Sequence, residues 1–345
     1  MKIALCSSFA PFVYGGYRNI VEWLEPQLLE AGHQVERIYL PQVDTPDLLF
    51  QQMAAYRWVD LATSADRVIC FRPPAHLIPH PHKILWFIHH IRAFYDLWDS
   101  PYRGFPDDAK HRGIRDALRS ADTAALLEAK VVFTNSRVVS DRLQRYNNVA
   151  STVLYPPIFR PERFHCRSFN DEIVYICRME HHKRQHLLIE AMRHTKAPVK
   201  LRLCGTSSGP EYSRELAHAI AQAGLQERVT LDNRWISEEE KVDYLADCLA
   251  AAYLPLDEDS YGYPSLEASH AAKPVLSTRD SGGVLELVEH GHNGLITAPA
   301  PQALAEAIDQ LYLNREATQR MGLNARARLD DLAINWPHVL DRLLA

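Results

Sequence analysis

Two pairs of charged residues in the second half of the chain have the types and spacing to handle a charged, polar ligand. Arg178 and Lys183 lie five positions apart in the polar turn CRMEHHK, between an apolar run and an amphipathic one. Two cations beside a helix N-terminus suit a diphosphate, whose charge must be neutralised if it is to act as a leaving group. Asp259 and Glu267 stand with seven residues between them inside Leu254 to Gly294, LPLDEDSYGYPSLEASHAAKPVLSTRDSGGVLELVEHGHNG. A carboxylate so placed can accept hydrogen bonds from a polar ligand. By themselves these features have ordinary readings too: a basic turn is commonly a solvated face, and an acidic loop commonly just faces water.

The elements around them decide which reading applies. Ala250 to Leu256 reads as a short buried strand, followed by an acidic and aromatic loop. Pro264 fits the first position of a helix, where its missing N–H costs nothing, and Glu267 then falls in the first turn, favoured by the dipole. Lys273-Pro274 ends that helix, and PVLST reads as the next strand. Asp280-Ser281-Gly282-Gly283 is a Gly-rich turn opening a helix, VLELVEH, which Gly291 terminates. Upstream, EIVYICRMEHHKRQHLLIEAM is strand, polar turn and helix. VKLRLCGTSSG is strand and turn, with Gly205 a candidate ligand contact where close backbone approach would be needed. In RVTLDNRWISEEEKVDYLADC, Trp235-Ile236 lies at a turn and Ser237 with Glu240 makes a capping box. Successive strand–turn–helix passages line such turns along the carboxyl edge of a parallel sheet, where ligands bind.

The first half has the same rhythm. KIALC is a buried-strand pattern, and Gly15-Gly16 precede a helix whose apolar face is Ile20, Val21, Leu24, Leu28 and Leu29. The glycines allow close backbone approach, but they do not spell G-x-G-x-x-G, so the nicotinamide fingerprint is absent. ADRVICF and HKILWFIHH read as further strands. His89 and His90 close the second at its carboxyl end, a position where a histidine is ordinarily structural. Tyr155-Pro156-Pro157 is stiff and extended, and marks a domain boundary. The order predicts an α/β protein of two Rossmann-like domains.

At 345 residues the chain is long enough for two cores, and its net charge of −5 excludes general nucleic-acid binding, which wants a basic face. Residues 1–160 carry 18 Lys and Arg against 16 Asp and Glu, too even a balance to decide a partner. Six scattered cysteines form no metal-ligand spacing and several sit in strand patterns, which suggests a reducing compartment. MKIALCSSFAPF reads as a first strand rather than a signal peptide, and no apolar run approaches the ~20 residues of a membrane span. The expectation is a cytoplasmic protein with, at most, peripheral membrane contact.

The donor stretch resembles the signature of the GT-B fold retaining glycosyltransferases of family 4: an acidic residue, seven residues, then Glu, with a Gly-aromatic pair inside and a Gly-Gly turn downstream. Here it stands as Asp259-Ser-Tyr-Gly262-Tyr263-Pro-Ser-Leu-Glu267, with Asp259 where the family usually has Glu. CRMEHHK is similar to the family's Gly-Arg, four residues, Lys, with Cys177 in place of Gly. The resemblance implies two Rossmann-like domains facing each other across a cleft: an acceptor-side domain over 1–160, rejoined by a C-terminal helix over 326–345, and a nucleotide-sugar domain over 170–325. It implies transfer of a sugar from a nucleoside-diphosphate-sugar, as substrate rather than cofactor, to a hydroxyl of a saccharide or lipid-linked acceptor in polysaccharide or glycoconjugate assembly, without a metal. Arg178 and Lys183 would meet the diphosphate, Glu267 the ribose, and Asp259 with the following loop the donor sugar. Gly15-Gly16 would face the phosphate and transferred sugar, His89 (with His90 as alternate) the sugar or acceptor, and Trp235 and Ile236 the base. Two alternatives belong to the same fold: a non-transferring nucleotide-sugar-binding subunit and a sugar-nucleotide epimerase.

Overall fold

The computed structural model describes residues 1–12, 15–42 and 45–345. They divide into two compact units, Met1–Pro157 with Asn335–Ala345, and Ile158–Ile334. Both are Rossmann-like, as the GT-B expectation requires.

In the first unit the chain runs through β1 (Lys2–Phe9), α1 (Gly16–Glu30), β2 (Gln34–Pro41), α2 (Leu49–Arg57), β3 (Arg67–Cys70), β4 (Lys83–Phe87), α3 (Ala109–Leu127), β5 (Val131–Thr134), α4 (Arg137–Asn147) and β6 (Thr152–Val153). The strands form one parallel sheet in the order β2-β1-β3-β4-β5-β6. Alternate residues of β1 feed opposite faces, so a continuous apolar run serves two cores. Ile3 and Leu5 pack with Ile20, Val21, Leu24 and Leu28 of α1, while Ala4 and Cys6 pack with Leu49, Met53, Leu118 and Leu143. Leu29, expected on the buried face of α1, is 50% exposed.

The second unit follows as β7 (Glu172–Ile176), α5 (Gln185–Met192), β8 (Lys200–Cys204), α6 (Pro210–Gln222), β9 (Val229–Asp232), α7 (Glu238–Asp247), β10 (Ala250–Ala252), α8 (Tyr263–His270), β11 (Val275–Thr278), α9 (Val284–Leu287), β12 (Gly294–Thr297), α10 (Pro301–Leu313) and α11 (Arg315–Asp331). Its parallel sheet has the order β12-β11-β10-β7-β8-β9. The chain starts at β7 in the middle, winds out to β9, returns to β10 beside β7 and winds out the other way. β7 and β10 are therefore the switch point, where loops diverge and leave a crevice. The VLELVEH helix is shorter than its pattern suggests, because Val288 is extended (φ −94°, ψ 124°) and ends α9 after four residues.

The last element, α12 (Trp336–Leu344), belongs to the first unit. It buries Trp336, Val339 and Leu343 in the core that contains Ile3 and Leu5. Arg67 of β3 donates to the carbonyls of Leu343 and Ala345. The returning segment begins at Asn335 rather than 326, since α11 continues unbroken to Asp331 and the turn after it places Ala333 at φ +51°. No helix of the described residues is long and apolar enough to cross a membrane.

Candidate active site

The turn leaving β7 carries both predicted cations, but they are differently placed. Arg178 is exposed, and its side chain has no partner among the described residues. Lys183, in a single 3-10 turn over His181–Lys183, is only 6% exposed. Its ammonium donates to the Tyr253 hydroxyl at 2.9 Å and to the carboxylate of Glu258. The Tyr253 hydroxyl also donates to that carboxylate at 3.0 Å. Burial pushes the Glu258 carboxyl up, but the Lys183 charge and the two hydrogen bonds outweigh it and hold the group below its usual range. The loop after β10 thus meets the loop after β7 at the switch point, through Glu258. Asp259, the residue that the signature selects, is half-buried beside it. Counting back from Glu267 cannot find Glu258, because it lies one position outside the motif.

Arg184, next to Lys183, binds these loops together. It sits at φ +58° and is 8% exposed. Its guanidinium donates to the carbonyls of Leu254 (2.7 Å) and Pro255 (2.8 Å), to the Thr278 hydroxyl (2.8 Å) and to both oxygens of Asp280 (2.7 and 2.9 Å). One planar fork therefore joins the ends of β10 and β11. The only sequence signal for it was a second basic residue at a helix start. The Gly-Gly turn completes the clamp: Gly283 N–H donates to the Glu258 carbonyl at 2.8 Å, and Asp257 N–H to the Asp280 carbonyl at 2.9 Å. Gly282 has φ +63°, and a Cβ there would lie 2.4 Å from the Glu258 carbonyl oxygen. This turn fixes the acidic loop.

Glu267 lies on α8, 6% exposed. Its Oε1 accepts from the Lys241 ammonium of α7 at 2.6 Å. Lys241 also pairs with Glu238 at 2.9 Å, and Arg163 reaches Glu238 at 3.2 Å. Burial raises the Glu267 carboxyl above its usual range, and the Lys241 charge and hydrogen bond only partly offset that. At the start of the same helix, Gly262 is the N-cap and a Cβ on it would lie 2.2 Å from the Tyr253 ring. Tyr263 is the first helical residue, and burial, then the neighbouring Glu267 charge, pushes its phenol up. Gly205 ends β8 at φ +145°, where a Cβ would lie 1.9 Å from the Cys177 carbonyl oxygen. Its role is packing against the cationic turn. The two base-contact candidates separate: Trp235 is 70% exposed, while Ile236 is buried.

Asp257, Glu258 and Asp259 spell an Asp-x-Asp pattern. Glu258 is committed to Lys183, and among the described residues no three His, Cys, Asp or Glu side chains are grouped to hold a metal ion.

Gly15, Gly16 and His89 belong to the first unit. Gly15 caps α1, its carbonyl accepting from Arg18 N–H at 2.9 Å, and Gly16 is the exposed first helical residue. His89 follows β4, half-buried, with Nδ1 2.6 Å from the His90 carbonyl oxygen. His90 is enclosed: Nε2 bonds Asn147 Oδ1 at 2.9 Å and its ring lies 4.1 Å from that of Tyr95. Burial lowers its pKa to about 4. As the alternate to His89, His90 is set aside by this packing.

Residues 167–328 match the family model described as Glycosyl transferases group 1. The chain is similar to human alpha-1,3/1,6-mannosyltransferase ALG2, 32% identical over 121 residues that make up 35% of this chain and 28% of that protein. It is also similar to D-rhamnosyltransferase WbpZ of Pseudomonas aeruginosa, 26% identical over 204 residues, 56% of this chain and 52% of that one. The chain thus spans about half or less of the length of these curated relatives. The crystal structure of Anabaena Alr3699/HepE in complex with UDP shares the fold over 99% of both chains, at 20% identity and a TM-score of 0.71. The match to the Glycosyl transferases group 1 model falls within the second unit, Ile158–Ile334.

Proposed function

We propose that this protein is a retaining glycosyltransferase that moves a hexose-type sugar from a nucleoside-diphosphate-sugar to a hydroxyl of a saccharide or lipid-linked acceptor. The observation that carries the reading is the meeting of Lys183 with the acidic loop at the β7–β10 switch point, with Glu267 on the helix that follows. Relatives named as mannosyl- and rhamnosyltransferases support a sugar donor, and a fold neighbour solved in complex with UDP supports a nucleotide ligand. The acceptor oxygen would bond to the anomeric carbon as the bond to the diphosphate oxygen breaks, that oxygen taking the acceptor proton on the same face. Arg178 and Lys183 would neutralise the departing diphosphate. Glu267 would accept from the ribose hydroxyls, Trp235 and Ile236 would flank the base, and Asp259 would hold the donor sugar. His89, Gly15 and Gly16 would act on the sugar and acceptor side. Two cations and helix N-termini supply the neutralisation for which other transferases use a metal.

Thermal-shift titration with UDP, GDP and ADP, followed by transfer from the matching nucleotide sugars, tests this reading. Lys183→Ala is expected to abolish transfer while the protein remains folded; near wild-type turnover by that variant would overturn the site assignment. A second reading, a nucleotide-sugar-binding subunit without transfer, is favoured by Asp259 in the signature position and by Glu258 occupying Lys183. Saturable donor binding with no turnover across donors and acceptors would select it.

A further inference from the structure

We infer that Lys241 is a positioning residue for donor binding: it locks the Glu267 carboxylate so that one oxygen is left to receive a pair of vicinal hydroxyls. The inference rests on the assignment of Glu267 to the donor's ribose. Lys241 stands on α7, an element that the donor signature does not include, and its side chain is 14% exposed. Its ammonium engages Oε1 of Glu267 at 2.6 Å, while Oε2 has no bond to any described residue.

The surroundings show why the lock is needed. Glu267 is packed where burial favours its neutral acid, and a neutral carboxyl presents one acceptor fewer and a proton to be redirected. The charged and titratable groups facing it are few. Lys241 touches it, Glu238 and Arg163 lie behind Lys241, and Tyr263 stands four residues before it on α8. From α11, Arg326 is spent on the His270 carbonyl at the far end of α8. Lys241 is thus the sole cation bonded directly to Glu267 among the described residues. The capping box at Ser237 and Glu240 fixes the start of α7, and the Glu238 pairing aims the ammonium. An acidic first turn that reads as mere helix capping therefore has a second consequence, the orientation of Lys241.

The test compares a nucleoside diphosphate with its 2′,3′-dideoxy analogue, by calorimetry, on the full chain and on Lys241→Met, Lys241→Arg and Glu267→Gln. In the wild type, loss of the hydroxyls should weaken binding roughly 10- to 100-fold, as for hydrogen bonds to a charged group. In Lys241→Met that penalty should collapse toward that of Glu267→Gln at neutral pH and return as pH rises, because the carboxyl ionises later without its cation. Lys241→Arg should restore the penalty. A residue that only supports the fold would weaken both nucleotides alike and leave the ratio unchanged; an unchanged ratio in Lys241→Met overturns the inference. Should the wild type bind the nucleotide with no hydroxyl penalty, the ribose assignment of Glu267 fails instead. A readout independent of ligand is the carboxyl titration of Glu267 by carbon NMR. It must move upward in Lys241→Met, and an unmoved titration also overturns the inference.

Discussion

The Lys183 ammonium and the Glu258 carboxylate are bonded to each other where β7 and β10 part company, with the Tyr253 hydroxyl donating to the same carboxylate. A cation proposed to receive a diphosphate is thus already satisfied by an anion of its own chain. Donor binding has to exchange one anion for another at Lys183, which spares the ammonium but leaves the Glu258 carboxylate with the Tyr253 hydrogen bond in place of its cation.

Glu258→Gln isolates the worth of that pair. It leaves the Lys183 ammonium without its anion, and should lower stability at neutral pH by about 2 kcal/mol. Because the folded Glu258 carboxyl titrates below its usual range, its contribution is complete above the unfolded value of about 4.3 and is lost as pH falls through the folded value. The gap between wild type and variant should therefore be full at neutral pH and shrink in acid. Urea unfolding at several pH values measures it; a gap that widens in acid would contradict the assignment.

Arg184→Lys tests the clamp. Lysine keeps the charge but cannot span two carbonyls, a hydroxyl and both oxygens of Asp280. A loss of roughly 2–4 kcal/mol is expected, as when a buried charge network is broken. Hydrogen exchange should rise selectively over residues 254–258 and 278–283. Uniform exchange across the second unit would show that Arg184 does not join these two loops.

The sequence carried the strand rhythm well because both sheets are parallel and buried on two faces, so each strand prints an uninterrupted apolar run. Local chemistry was equally legible: the Ser237–Glu240 capping box is present as its spacing predicts. So was the placement of Lys183 and Glu267 in segments following β7 and β10. What the pattern could not carry is which neighbour a side chain chooses once two distant loops meet. Glu258 reaches Lys183 from 75 residues away, Arg184 reaches Asp280 from 96, and neither distance leaves a mark in either local sequence.

Gly205→Ala probes the support beneath the cationic turn. The residue's φ of +145° is strained for any side chain, and its Cβ would overlap the Cys177 carbonyl oxygen at 1.9 Å. Overpacking and backbone strain together should cost about 2–5 kcal/mol. The displaced backbone leads directly into Arg178, so nucleotide affinity should fall along with the denaturant midpoint. Full stability in the variant would mean that β8 and the 177–178 turn are not packed as described.

His90 gives the first unit a definable acid sensitivity. Its ring is 1% exposed, bonded through Nε2 to Asn147 and stacked near Tyr95. Burial lowers its pKa to about 4, the Asn147 hydrogen bond and the Asp122 and Asp96 charges opposing that only in part. In the unfolded chain the same group titrates near 6.5. Between those values the unfolded state takes up a proton that the folded state refuses, so stability falls as pH falls, by up to about 1.4 kcal/mol per pH unit. Across the whole window the loss is about 3 kcal/mol. His90→Gln, which retains a side chain able to reach Asn147 and cannot ionise, should lose this part of the slope. The other histidines contribute to both proteins, His270 in the second unit being lowered to about 4 as well, so the informative quantity is the difference between the two curves. That difference should be flat above pH 7 and move in favour of the variant toward pH 4. Parallel curves would mean that His90 is hydrated or already protonated in the folded protein, which its packing against Phe87, Tyr95 and Tyr146 does not permit.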